Sequence, residues 1–497
     1  MKKRVGALVL STMLTLTALT GCGGNKEASS NNTGAKDTAH KVVMAISGEQ
    51  QPGQERVMAE VNKILKKDLN MELELMILPW GSTDQQIQLM LTGTEPLDLF
   101  RLGSGEAAGY ISSGKIEDLG PLIDKYGKNI KEALGEEIAK SANINGFVYG
   151  VPTNIERDST PSIEMRKDLV EKYDIDITQI KSLEDLEPIF KKVKAGEPNM
   201  TMLFGAGGVN QPATRYGGFD SLGGFGGVLA NDGLESTKVE IRPATEQYKA
   251  SLDIFHDWYK KGYINKDAPT SQDEPSVVMK AGNTFSTIVG WHPAYQNKEG
   301  NYDVVFAPLR EHVLHSGSSG YVTLGIARNS KDPDKAMQLL DYIYGSPEVM
   351  NLLNWGMEGT DYVYIDKENN TIGYPDGVND SNAEYHLNLG WQLPNQFIAS
   401  VWEGSQPADV WDRMKEFNDK APKSKAFGFM FDPKGYEAEI TAISNVIEQY
   451  SRSLESGSVD PNEYLPKYVE ALKKAGIEKV TAAQQKQLDE FLATKQP

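Results

Sequence analysis

"VVMAISGEQQPGQERVMAEVNKILKKDLNMELELMIL", residues 42–78, decides the fold. Its first five residues are an unbroken apolar run of the kind that fills a buried strand. Val57, Val61, Ile64 and Leu65 then recur at three- and four-residue spacing, so they share one face of a helix over 53–69. "MELELMIL" (71–78) supplies a second strand. Further out, "DQQIQLMLTG" (84–93) predicts a helix stopped by Gly93, and "LDLFRL" (97–102) a third strand. Strand-helix-strand-helix-strand predicts a parallel sheet covered by helices. Ligands of open α/β sheets sit at the carboxyl ends of the strands. Here those ends are "PWGSTD" (79–84) and "GSGE" (103–106).

A second α/β block follows "GFVYGVPTN" (146–154). It holds an expected helix over 182–196, a glycine-rich stretch over 204–233, a helix over 245–262 and a strand in "TFSTIVGWHPAY" (284–295). Two further strand-like runs, 302–309 and 320–330, precede a helix over 332–345, for which Asp332 and Pro333 form a good start. The last 65 residues predict helices near 435–455, 461–475 and 481–494, separated by Gly457 and Gly476. There is no internal repeat and no long linker within the body.

The amino terminus carries a different kind of signal. Lys2, Lys3 and Arg4 precede a mainly apolar run, Val5–Leu19, too short to span a bilayer comfortably. Leu19-Thr20-Gly21-Cys22 follows, and Cys22 is the single cysteine of the chain. This resembles the bacterial lipobox, in which the thiol receives diacylglycerol and two acyl chains hold the protein at the bilayer. Residues 1–21 are then a lipoprotein signal peptide. Residues 22–40, rich in Gly, Ser and Asn, are a flexible tether with too little apolar surface to order themselves.

A formal net charge of −18 argues against a nucleic-acid partner and against adsorption of the body to anionic lipid. The glycine-rich stretch lacks the spacing of a phosphate loop or dinucleotide fingerprint, and its local reading is a mobile surface loop. The six histidines form no HExxH pair, and His312 with His315 makes no convincing metal site. Glycosidase carboxylates have no local signature, so Glu156, Asp158, Glu358 and Glu403 stay open on sequence alone. No cofactor, metal or catalytic residue is expected.

The tryptophans say more. Trp258 and Trp411 lie inside periodic apolar segments, as core residues do. Trp80, Trp291, Trp355 and Trp391 instead stand at element ends beside glycine or proline, where they could line a cleft. Aromatic faces stack on the apolar face of a sugar ring while polar groups serve its hydroxyls. These positions favour a carbohydrate-like ligand.

Taken together, Cys22, "QIQLMLTGTEPLDLF" (86–100), "GFVYGVPTN" (146–154), "RKDLVEKYDID" (166–176), "GWHPAY" (290–295) and "NWGMEG" (354–359) resemble the extracellular solute-binding lipoproteins of ABC importers. The terminal stretch 428–461 resembles the helical domain of one carbohydrate-handling subfamily. The resemblance implies a periplasmic-binding-protein-like type II fold, with two α/β lobes, hinge crossings and a helical C-terminal extension. Lobe one would hold 41–152 and 306–345. Lobe two would hold 153–305 and 346–430, with 431–497 packing on it. An oligosaccharide would bind between the lobes and pass unaltered to an ABC permease from the extracellular face of the cytoplasmic membrane, the receptor being a monomer. Ligand contacts would come from Trp80, Asp84, Arg101, Ser104, Tyr149, Asn154, Arg157, Trp291, His292, Trp355, Glu358 and Trp391. The rival readings are a surface glycoside hydrolase or lyase and a ligand-presenting sensor lipoprotein.

Overall fold

The structure is a computed structural model. It describes residues 39–495 apart from 208–209, 296, 319, 321 and 405–406. The side chain of Ser104 and all of Cys22 lie outside the described residues, as do the expected signal peptide and nearly all of the tether.

The opening stretch folds as its periodicity predicts. Strand His40–Ser47 pairs in parallel with Met71–Leu78 over eight residues, so His40, the last residue of the expected tether, belongs to the sheet. Helix Gln54–Leu69 crosses between them and buries Val57, Val61 and Leu65. Burying each such side chain contributes about 1.5–3 kcal/mol. Asn70 closes the helix in the left-handed conformation, one of the few residue types that tolerates it. The first sheet runs Met71–Leu78, His40–Ser47, Leu99–Leu102, Thr323–Ile326, Val151–Pro152, and Thr323–Ile326 alone among these runs antiparallel to the others.

The second sheet runs Lys298–Glu299, Tyr302–Pro308, Thr160–Arg166, Thr284–Trp291, Thr201–Phe204. Thr160–Arg166 is antiparallel to both its neighbours. A three-stranded sheet, Glu240–Ile241, Gly227–Ala230 and Phe219–Asp220, takes its last two strands from the glycine-rich stretch. Helices Glu437–Glu455, Pro461–Lys474 and Ile477–Thr494 form the C-terminal region. Ile443, Leu454, Leu472, Ile477, Val480 and Leu488 share one core with Ile163, Phe190, Phe255 and Phe285 of the second sheet and its helices.

Two lobe boundaries differ from expectation. Strand Tyr302–Pro308 lies wholly in the second sheet, so residue 306 is not where the chain returns to lobe one. Helix Pro347–Trp355 packs on the first lobe, not the second. Only Gly345 and Ser346 separate it from helix Pro333–Tyr344, so both bury against the same core, Val349, Met350 and Leu353 beside Met337, Leu340 and Ile343. Tyr385, Leu387 and Leu393 join that core too.

Candidate functional site

Register fixes where the lobes meet. Thr323 pairs with both Leu102 and Pro152, so two lobe-to-lobe crossings leave from the carboxyl edge of the parallel strands. One is Thr153–Ser159, which enters the second sheet at Thr160. The other is Leu309–Val322, which returns from Pro308. A cavity of about 640 Å³ opens between them, within the ordinary range for ligand sites. Its lining includes Glu156, Arg157, Asp158 and Ser159 from the first crossing and His315 to Ser318 from the second. Arg215, Phe219, Asp220, Ser221, Gly223 and Gly224 come from the glycine-rich stretch, Gly290 and His292 from the end of a strand, and Phe429 and Met430 from the chain beyond.

The floor is a charge network. His315 Nδ1 lies 2.8 Å from Asp158 Oδ2 and its Nε2 lies 3.1 Å from Asp232 Oδ1. Burial alone would lower the imidazole's pKa, but these two carboxylates hold it up at about 10, so the ring is an imidazolium at neutral pH. Burial likewise works against the ionised form of Asp158 and Asp232, yet their hydrogen bonds to His315 leave both below the usual carboxylate range. Ser318 Oγ donates to Asp158 and accepts from the His315 N–H, each at 2.6 Å. Arg310 donates to the other oxygen of Asp232 at 2.6 Å. Asp220, fully buried, accepts from the N–H and Oγ of Ser316 at 2.9 and 2.6 Å. The network therefore ties the second crossing to the first and to the small sheet.

Around that floor the wall is mixed. Burial raises the pKa of Glu156 and lowers that of Arg157. No carboxylate lies within ion-pair distance of Arg157 or Arg215 among the described residues, and Arg215 is held by Asn210 Oδ1 at 2.7 Å. Burial pushes His292 down to about 4, and its Nδ1 has no hydrogen-bond partner among the described residues. Donors, acceptors and the apolar surfaces of Phe219, Phe429 and Met430 thus meet in one space. Such a space can hold a polar ligand that has apolar faces.

Of the expected ligand residues, Arg157 and His292 come together on this cavity. Trp80 and Trp391 come together elsewhere on lobe one, stacked with ring centroids 6.0 Å apart and planes at 12°. Trp80 follows the strand ending at Leu78. Trp391 precedes Gln392, whose amide bonds the N–H and C=O of Ser47 at the end of the neighbouring strand. The pair therefore sits on the same carboxyl edge as the crossings. Asp84 is exposed on the next helix, Thr83–Met90.

The others take different places. Trp355 is buried at 4% exposure, its indole N–H donating to the Ser400 carbonyl at 3.0 Å, and it belongs to a core with Tyr362 and Ile372. It is not a cleft residue, because the hairpin Val363–Gly373 folds over it. Trp291 packs on Phe306 and edge-on against Phe417, while its neighbours Gly290 and His292 face the cavity. Asn154 is buried and bonds Asn395 at 2.9 Å. Tyr149 is buried with its hydroxyl 3.7 Å from Met430 Sδ. Glu358 is exposed and pairs with Lys367 at 3.4 Å. Arg101 lies in the first sheet opposite Leu324 and does not line the cavity.

Sequence reasoning missed the largest contributor. The glycine-rich stretch is no free loop but a wall of the site. Gly217, Gly218, Gly223, Gly224 and Gly226 all have positive φ, which lets the backbone turn sharply enough to present Phe219 to Gly224 inward. The available signal was the set of Arg215, Phe219 and Asp220 interleaved with those glycines.

Two sheets joined by crossings over a central cavity define a hinged receptor that grips a solute between lobes. The chain belongs to the bacterial extracellular solute-binding protein family, whose model matches residues 48–350, and its fold is the two-lobed type II form. Residues 425–493 match a domain of unknown function, DUF3502. The chain is 28% identical over 474 residues to a carbohydrate ABC transporter substrate-binding protein of Streptococcus pneumoniae, 94% of each chain being covered. It superposes on the crystal structure of the N-glycan transport solute binding protein of Streptococcus pneumoniae with a TM-score of 0.80, at 27% identity, covering 92% of this chain and 100% of that one. Against the same relative in complex with Man1GlcNAc the score is 0.71, at 28% identity, covering 91% and 99%.

Proposed function

We propose that this protein is an exported receptor that captures an oligosaccharide between its lobes and delivers it to an ABC permease. The observation that carries this reading is the cavity itself, where two crossings, a strand end and the glycine-rich wall converge polar groups on apolar surfaces. Capture is differential affinity. A ligand that touches both lobes only when they approach shifts the open–closed equilibrium toward the closed form. The lower score against the glycan complex than against the other structure of that relative supports a lobe arrangement that differs from the bound one.

The receptor acts as a monomer, and the thiol of Cys22 carries a diacylglycerol that holds it at the extracellular face of the membrane. Among the described residues no helix is long and apolar enough to cross a bilayer, so a tether is the simplest way to keep the body near its permease. No bond in the ligand is broken. Residues expected to touch the glycan are Arg157 and His292 in the cavity and Trp80 and Trp391 on the rim.

Titration calorimetry of the chain lacking residues 1–21 against N-glycan fragments, beginning with Man1GlcNAc, tests the reading. Micromolar or tighter binding, with the glycan recovered at unchanged mass, is expected. Shortened glycan would move the protein to the hydrolase class. No binding across neutral and acidic oligosaccharides would end the carbohydrate assignment.

A further inference from the structure

The cavity takes Phe429 and Met430 directly from the C-terminal match at 425–493, and the last C-terminal helix stands behind its glycine-rich wall. Gln484, on helix Ile477–Thr494, is fully buried. Its Nε2 donates to the carbonyl of Leu222 at 3.3 Å. Leu222 stands at φ 47°, in the left-handed region, where a bulky side chain is rare. It sits between Ser221 and Gly223, both of which line the cavity. Strain of this kind persists only where the surroundings hold it, and it gathers at ligand sites.

Leu222 N–H donates to Asp220 Oδ1 at 3.4 Å, and the rest of what holds it includes C-terminal residues. Its side chain is buried in the core that contains Ile477, Val480 and Ala483. The helix presses on the bare backbone at Gly226 and Gly227, where an added Cβ would collide with Ile477 and Gln484. Phe225 meets Phe431 edge to face at 5.8 Å. A neighbouring glutamine on the same helix does a different job. Gln485 accepts from the Val239 N–H at 2.7 Å and donates to the Thr237 carbonyl at 3.1 Å, and neither residue lines the cavity.

We propose that helix Ile477–Thr494 of the C-terminal region, whose family model is a domain of unknown function, is a positioning element of the ligand cleft. Gln484 fixes Leu222, and through it the wall Phe219–Gly224 that contacts the solute. The helix thereby sets affinity and ligand selection from behind the wall, apart from the direct lining by Phe429 and Met430. That the solute is a glycan rests on the function proposed above. The positioning itself does not.

Two near-isosteric variants of the full mature chain separate the claim from general stability. Gln484→Met removes the donor and keeps the volume. Gln485→Met does the same one residue along. Amide hydrogen exchange is followed by mass spectrometry on ligand-free protein, and affinity for Man1GlcNAc by calorimetry. In Gln484→Met, exchange at 219–224 should quicken by about tenfold, with a threefold to tenfold loss of affinity, the scale of one hydrogen bond. In Gln485→Met, exchange should quicken only at 237–239 and affinity should hold. Unaltered exchange at 219–224 in Gln484→Met overturns the proposal, as does equal affinity of the two variants. If wild type binds no glycan while the wall still loosens, the carbohydrate reading falls and the positioning role stands. Should the methionine form not fold, Gln484→Asn withdraws the same amide by one methylene and is judged by the same readouts.

Discussion

Trp355 with Trp402 and Trp80 with Trp391 form two aromatic groups on the first lobe side of the molecule, and their sequence contexts are alike. Both Trp355 and Trp391 adjoin a glycine at the end of an element. Yet Trp355 is 4% exposed, 5.1 Å from Trp402 and 5.2 Å from His386, with its N–H given to a backbone carbonyl. Trp80 is 49% exposed on its stacked partner. The difference lies in what the chain does later. Strands Val363–Asp366, Thr371–Gly373 and Val401–Trp402 close over Trp355, whereas Trp391 is brought beside Trp80 on an open edge. An element end tells where a tryptophan stands, not what subsequently covers it.

The sharpest way to break this comparison is Trp355→Ala. Removing a buried tryptophan costs about 3–5 kcal/mol. Urea unfolding should show that loss, while calorimetric affinity for the ligand stays at the wild-type value. An affinity collapse in a protein of unchanged stability would return Trp355 to the site.

His315 sharpens the comparison because it is both partly buried and cavity-lining, so its loss should move both readouts. His315→Gln takes the shared cation from two carboxylates that are a quarter exposed or less, leaving Asp232 with Arg310 and Asp158 with Ser318, at a cost of about 2 kcal/mol. The pH dependence is more telling. The folded pKa, about 10, lies above the ordinary 6.5. The stabilisation by the imidazolium is therefore complete below pH 6.5 and disappears as pH rises through 10. Asp158 and Asp232, held below 3.8, add stability above that pH and lose it as pH falls through their depressed values. Wild-type melting temperature should fall steadily from pH 6.5 to 10, and His315→Gln should flatten that slope. A variant that keeps the wild-type slope would show that the charge clamp is not what titrates.

Much of the fold was legible because its determinants are local. The spacing of Val57, Val61 and Leu65 and the apolar run of Val42–Ile46 set a helix and a strand without reference to distant chain. The site was less legible because its parts meet only through topology. Asp158, Asp232 and His315 are spread over more than 150 residues and carry no motif. The glycines of 217–227 signal sharp turns but not which side of the turn meets a ligand. The allocation of helix Pro347–Trp355 failed for the same reason. Its apolar face fits either lobe, and the two-residue link through Ser346 decided the matter.

Trp80→Ala should have the smallest effect on stability and a selective one on binding. The side chain is half exposed, so unfolding should be nearly unchanged. Its strand lies at one end of the first sheet, three strand spacings from Thr323–Ile326, which follows the second crossing. Three spacings are about 14 Å. A monosaccharide held in the cavity by Arg157 and His292 cannot also reach the Trp80–Trp391 stack, whereas an oligosaccharide lying along the edge can. Affinity for a short fragment should therefore survive Trp80→Ala, and affinity for a chain of several sugars should fall about fivefold, the scale of one aromatic contact. Calorimetry over a series of increasing length reads this directly. An equal loss for every length would place Trp80 in the cavity, and no loss at any length would remove it from the ligand path, leaving the two tryptophan groups different in burial but alike in lacking any part in recognition.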